Sequence, residues 1–222
     1  MPVKRPAILV TGFGPFPGAP RNASSLLADA LGKVAVHALP DFKVYAETLP
    51  TEWQAGPARV AVLLGKIKPA VVVHFGVSHR ARGFVVETRG RNVADGVADA
   101  CGETPGSKCV VDGGPDEIAV TLPTARIVAR LGALGLPAKL SRNAGGYLCN
   151  SVLYSSLCLA EAANTSARGF RCGFIHLPDR LVEADGDEPV RRAVVSQLSW
   201  DDAVAGGLAI LAVCAGEVAP TS

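Results

Sequence analysis

Ala70-Val71-Val72-Val73-His74-Phe75 is the stretch on which the fold turns. It lacks the apolar/polar alternation of a half-exposed strand. An unalternating, β-branched run of this length reads as a strand buried on both faces, the environment of a parallel sheet covered by helices. Working upstream, residues 44–49 form a second strand, closed by Pro50, and residues 7–11 a third, ended by Gly12-Phe-Gly-Pro-Phe-Pro-Gly18. Between these strands Ser24 is placed to cap a helix to Leu31 with Gly32 as its stop, and Thr51 to cap another to Leu64. Downstream, residues 84–87 make a shorter strand. Residues 92–123 are rich in Gly, Asp and Pro and read as a long loop region with room for a hairpin, a length often associated with function. A helix over 124–134, a strand over 138–141, a helix over 149–163 and a strand over 173–176 follow. Residues 185–188 are an acidic loop or helix start, and Ser199 with Asp202 resembles a capping box opening a last helix to Val213. This βα rhythm predicts an α/β fold: a single-domain three-layer α/β/α sandwich over residues 1–222, with a mostly parallel twisted sheet.

Composition narrows the function classes. The chain of 222 residues is 49% hydrophobic and 19% charged, enough apolar material for a sizeable core. Its formal net charge is +2, with no run of Lys or Arg, so nucleic acid is not an expected partner. The apolar run near the N-terminus is too short for a secretory signal. No stretch reaches the roughly 18 continuous apolar residues of a membrane span. A cytoplasmic protein is therefore expected. Its six cysteines are then expected as free thiols, and none has the Cys-x-x-Cys spacing of a zinc ribbon.

One segment concentrates chemistry: Ser141-Arg-Asn-Ala-Gly-Gly-Tyr-Leu-Cys149-Asn150. A strand ends near Ser141, a Gly-Gly turn follows, and a helix starts at or near Cys149. Thiols at helix N-termini sit beside the positive end of the macrodipole, where thiolate is generally favoured. The backbone N–H groups of that turn can also receive an oxyanion. A buried structural thiol is the competing reading, and the residues alone leave both open. His176 ends the strand before Leu177-Pro178, at the strand edge where parallel sheets bind ligands, and suits a general base for a thiol. A merely satisfied histidine is equally open there; His37, His74 and His79 have weaker settings. Glu87 closes residues 83–87 and could orient an imidazole, or be a salt-bridged surface carboxylate. Phe13 and Phe16, two loop aromatics in a chain with few, could line a small apolar pocket or pack locally. The loop carrying them is neither a phosphate loop nor a dinucleotide fingerprint.

Taken together these segments resemble pyroglutamyl peptidase I, the pyrrolidone-carboxylate peptidases. The likeness spans nearly the whole chain. It begins at Leu9-Val-Thr-Gly-Phe-Gly-Pro-Phe-Pro-Gly18 with Asn22 and Ser24. It continues from Gly76 through Glu87 to Asn92, then Gly113-Gly-Pro115 and Leu122-Pro123. Ala144-Gly-Gly-Tyr-Leu-Cys149-Asn150 resembles the nucleophile motif and Phe174-Ile-His176-Leu-Pro178 the histidine motif. The resemblance implies a cysteine omega-peptidase that removes an N-terminal pyroglutamyl residue from peptides through a Cys149, His176 and Glu87 triad, without metal or cofactor. It implies that Phe13 and Phe16 sandwich the lactam ring, with Asn22, Val77, Tyr147 and Leu148 also on the substrate side. It further implies a homodimer or homotetramer.

The chain departs from the family pattern in two places. Gly76-Val-Ser-His-Arg-Ala-Arg82 stands where Gly-Gln before a Gly-Gly-Arg run is usual, so Val77 replaces a glutamine expected to bond the lactam. Such a bond is worth about 0.5–1.5 kcal/mol net. Val97 stands where a later arginine is expected. Two alternatives follow: a cysteine amidase or peptidase of this fold with altered N-terminal specificity, and a catalytically silent homologue that binds a small amide or peptide. A metal site built on Cys149 and His176 lacks further ligands at convincing spacing.

Overall fold

The unalternating run becomes the middle of a sheet. The computed structural model describes residues 5–17, 19–164, 169–181 and 198–216. In chain order it contains β1 (Ala7–Phe13), α1 (Ala23–Ala38), β2 (Lys43–Leu49), α2 (Ala55–Ile67), β3 (Val71–Ser78), β4 (Phe84–Glu87), β5 (Arg89–Arg91) and β6 (Glu117–Ala119). Then come α3 (Thr124–Ala133), β7 (Ala138–Ser141), α4 (Leu148–Asn164), β8 (Arg171–Pro178) and α5 (Trp200–Ala215). The main sheet has the order β2-β1-β3-β8-β4-β7, so β3 lies at its centre, buried from Val71 to Gly76. β1, β2, β3 and β8 are parallel, whereas β4 pairs antiparallel with β8 and parallel with β7. The sheet is thus mostly parallel, with one reversal between β8 and β4.

Helices cover both faces, as a strand apolar on both sides requires. Val71, Val73 and Phe75 pack with Leu27 and Leu31 of α1, Ile127 and Leu131 of α3, and Ile210 and Leu211 of α5. Leu9, Val72, Cys172 and Phe174 pack on the other face with Val60 and Leu63 of α2 and Val152, Leu153 and Leu157 of α4. Each fully buried Leu, Val or Phe side chain contributes about 1.5–3 kcal/mol, so these two layers dominate the stability. Among the described residues, no helix is long and apolar enough to cross a membrane.

Several boundaries differ from the sequence expectation, each for a packing reason. The N-cap of α1 is Asn22, whose side chain accepts from Ser24 N at 3.1 Å; Ser24 already lies in the first turn. The helix passes through Gly32, because a Cβ there would stand 2.7 Å from the Ala46 Cβ; this glycine permits close approach to β2 and stops nothing. Helix α2 starts after Gln54, while the Thr51 hydroxyl donates to the Gly14 carbonyl at 3.0 Å. Helix α4 starts at Leu148, one residue early, and β8 opens at Arg171. The long loop region holds β6, which pairs antiparallel with β5 across many residues. The capping box at Ser199 and Asp202 forms with reciprocal bonds of 3.0 and 3.1 Å. The acidic stretch 185–188 lies outside the described residues.

Candidate active site

Alternation sorts the strand residues that face α4 into three rows. The lowest is Leu9, Val72 and Cys172; the next is Thr11, His74 and Phe174; the highest pairs Gly76 with His176. Glu87 joins from β4. The β4–β8 ladder sets Val85 opposite His176, so Glu87 meets the imidazole diagonally. Its Oε1 accepts from His176 Nδ1 at 3.0 Å, with side chains 1% and 8% exposed. The other carboxylate oxygen, Oε2, is buried with no hydrogen-bond partner among the described residues.

Cys149 occupies the first turn of α4, where N–H groups have no acceptor within the helix. It is half-buried, unlike the buried Cys172 and Cys214. Its Sγ lies over Gly76, where a Cβ would come within 3.0 Å of the sulfur and 2.6 Å of the Phe174 ring. With Nδ1 of His176 held by Glu87, the remaining ring nitrogen is left for the Cys149 hydrogen bond. Burial pulls the His176 imidazole down, but the Cys149 thiol and the Glu87 carboxylate outweigh it and push it up to about 9. The pair can therefore hold imidazolium at neutral pH. Burial pushes the Cys158, Cys172 and Cys214 thiols up, and the Glu52 carboxylate raises Cys101. Each is thereby kept from thiolate.

The remaining residues singled out from the sequence are spread around this centre. Phe13 is buried, its ring 6.2 Å from that of Phe174. Phe16 is half-buried and bridges to Ala19 through the backbone. Asn22, 2% exposed, holds the loop between them by donating to the Gly14 carbonyl at 3.0 Å. Leu148 is buried among α2 and α4 residues. Tyr147 stands edge-on to Trp53 at 5.3 Å and donates to the Ala98 carbonyl at 3.2 Å. Val77 packs with the residues of the α1, α3 and α5 side, while its neighbour Gly76 meets Cys149 on the opposite side. Val97 is 55% exposed.

The pyroglutamyl peptidase family pattern matches residues 6–214. Pyroglutamyl-peptidase 1 of Mus musculus is 33% identical over 198 residues, 87% of this chain and 90% of that protein. The pyrrolidone-carboxylate peptidase of Oceanobacillus iheyensis is 32% identical over 77% of this chain and 83% of its own length. A mutant pyrrolidone carboxyl peptidase from the hyperthermophile Pyrococcus furiosus superposes with a TM-score of 0.82, covering 96% of this chain and all of that one at 26% identity. This chain belongs to the pyroglutamyl peptidase family.

Around this pyroglutamyl peptidase centre lie residues that sequence motifs left unassigned. Phe174 stacks tilted against His176 with ring centroids 4.8 Å apart, filling the space between it and Phe13. Asn150, fully buried beside Cys149, accepts from Arg91 N at 2.9 Å and donates to the Arg91 and Val93 carbonyls at 2.8 and 2.9 Å. Both were inside quoted motifs, but a motif does not say which way an inward side chain bonds. Segment 94–100 is held beside the turn before Cys149 through its backbone: Asp95 N donates to Gly146 O at 2.6 Å and Ala100 N to Thr51 O at 3.0 Å. Trp53 Nε1 donates to Val97 O at 2.9 Å. Nothing in the side chains of Gly96, Val97 or Ala98 signals this wall.

Proposed function

We propose that this chain hydrolyses the amide that joins an N-terminal pyroglutamyl residue to a peptide, with Cys149, His176 and Glu87 as its triad. The observation that carries the reading is the buried 3.0 Å contact of Glu87 with His176 Nδ1, which leaves the other ring nitrogen available to Cys149. In the first step His176 takes the Cys149 thiol proton and the sulfur bonds to the pyroglutamyl carbonyl carbon. First-turn N–H groups of α4 take the developing oxyanion. The C–N bond then breaks, and His176 gives its proton to the departing amine. In the second step water adds to the thioester carbon and yields its proton to His176. The C–S bond breaks, releasing pyroglutamate, and the proton held by His176 returns to the Cys149 sulfur. Glu87 holds the imidazole's orientation and supports its charge throughout. Phe13 and Phe16 receive the lactam ring, with Asn22 fixing their loop and Tyr147 and Leu148 bordering the pocket. Because Val77 packs toward α1 and α5, its lack of a hydrogen bond is compatible with lactam recognition.

We take residues 1–222 as one catalytic domain, cytoplasmic and assembling as a homodimer or homotetramer; sedimentation tests the assembly. The function is tested by release of a fluorophore from a pyroglutamyl amide in reducing buffer, alongside a panel of other aminoacyl amides. Wild type turns over the pyroglutamyl amide only, iodoacetamide blocks it, and Cys149→Ala is inactive. No release by wild type overturns the activity, and release by Cys149→Ala overturns the mechanism.

A further inference from the structure

His74 lies in the middle of the sheet, fully buried, and the chemistry above makes no use of it. A buried imidazole needs partners, and it has two. The Thr11 hydroxyl meets Nδ1 at 2.7 Å and the Ser156 hydroxyl meets Nε2 at 3.0 Å. Thr11 is its register partner in β1, while Ser156 belongs to α4. The ring thus ties the sheet to the helix that carries Cys149. Ser156 follows Cys149 by seven residues, two turns and about 10 Å along the helix, on the same face. His74 precedes Gly76 by two residues on the same side of β3, one row below the sulfur's seat.

This row underlies the reacting groups. His74 pairs in register with Phe174, whose ring lies 6.3 Å from the imidazole of His74 and 4.8 Å from that of His176. Extending the β4–β8 ladder by one step sets Glu87 opposite Phe174. Leu153, Val152 and Leu157 also join α4 to this side, but apolar contacts are non-directional and tolerate sliding along the helix axis, and the Asn150 bonds run to Arg91 and Val93 at the β5 edge rather than to the central strands. A hydrogen bond to a rigid ring does not.

We propose that His74 is a positioning residue: through Ser156 it fixes the height of α4 on the sheet, and so the distance at which Cys149 meets His176. This rests on the triad reading above, but two of its readouts need no substrate. Ser156→Ala breaks the tie. Because 1 Å of misplacement can cost on the order of a hundredfold, kcat on a pyroglutamyl amide is expected to drop about ten- to a hundredfold with KM little changed. The His176 imidazole, followed by NMR, is expected to titrate below the value of about 9 that Cys149 helps to set. Alkylation of Cys149 by iodoacetamide slows in parallel. The variant Thr11→Val/His74→Leu/Ser156→Ala removes the whole polar row at once and leaves only the Cys172 thiol, a weak hydrogen-bonding group, without its Ser156 partner, a change that can be nearly neutral for stability. It is expected to fold and to show the same three losses. Ser156→Thr, which keeps the hydroxyl, is expected to restore them. If Ser156→Ala or the triple variant folds with wild-type His176 titration and wild-type alkylation, the proposal is overturned. If wild type lacks turnover while titration and alkylation still respond to Ser156→Ala, the positioning role stands and the assigned substrate falls.

Discussion

At the scale of single residues, the place of Cys149 rests on a side chain that is missing. Gly76 leaves the floor beneath Cys149 open, and a methyl group there would press on both the sulfur and the Phe174 ring, at 3.0 and 2.6 Å. The sheet backbone cannot yield at its buried centre, so the Phe174 ring and the Cys149 sulfur above it must. Gly76→Ala is expected to lower kcat by about a hundredfold through displacement of the Cys149 sulfur, while thermal melting still shows a cooperative transition. Steady-state kinetics with a pyroglutamyl amide checks it. Wild-type kcat would mean that the sulfur has room elsewhere.

At the scale of elements, caps separate stability from binding. Asn22 caps α1 and also holds the Gly14 carbonyl between Phe13 and Phe16, whereas the Ser199 side chain caps α5. Both Asn22→Ala and Ser199→Ala are expected to cost about 1–2 kcal/mol in urea unfolding. Only Asn22→Ala should also raise KM, because it frees the aromatic loop. Which parts of these elements were legible follows from the same physics. The Val71–Val73 run, the capping box and the helix patterns are local signals, and they survived folding. Gly32 misled as a stop because its role is contact with Ala46, far away in sequence. The reversed direction of β4 left no trace in Phe84–Glu87, since a four-residue strand reads alike either way. Glu87, His176 and Cys149 could be named together only through family likeness, because their meeting depends on that reversed strand. His74 and Phe174 were hidden inside apolar strands, where alternation gives burial but not partners.

At the scale of the whole molecule, two buried histidines bend the pH response in opposite senses. His176 is raised from 6.5 to about 9, so its stabilisation is fully present below 6.5 and fades as pH rises through 9. Burial lowers His74 from 6.5 to about 3. Between these values the unfolded chain binds a proton that the folded chain refuses, so stability falls as pH drops. Together the two place greatest stability near pH 6.5, with losses on both sides. Urea titrations across the range would reveal it. In Cys149→Ala, which removes the larger of the two partners that raise His176, the alkaline limb should be shallower. An alkaline limb unchanged in that variant would separate it from His176.

The wall beside the turn before Cys149 is held by main-chain groups: Val97 O by Trp53, Ala98 O by Tyr147, Asp95 N by Gly146 O and Ala100 N by Thr51 O. Any amino acid but proline supplies those groups. Val97→Ala or Val97→Arg should therefore shift stability by no more than about 0.5 kcal/mol and leave kcat/KM within about twofold, as urea melts and kinetics would report. Such a wall lets residues 96–98 drift through evolutionary time while their shape endures. A lineage can then exchange an arginine for a valine there and keep the same enzyme.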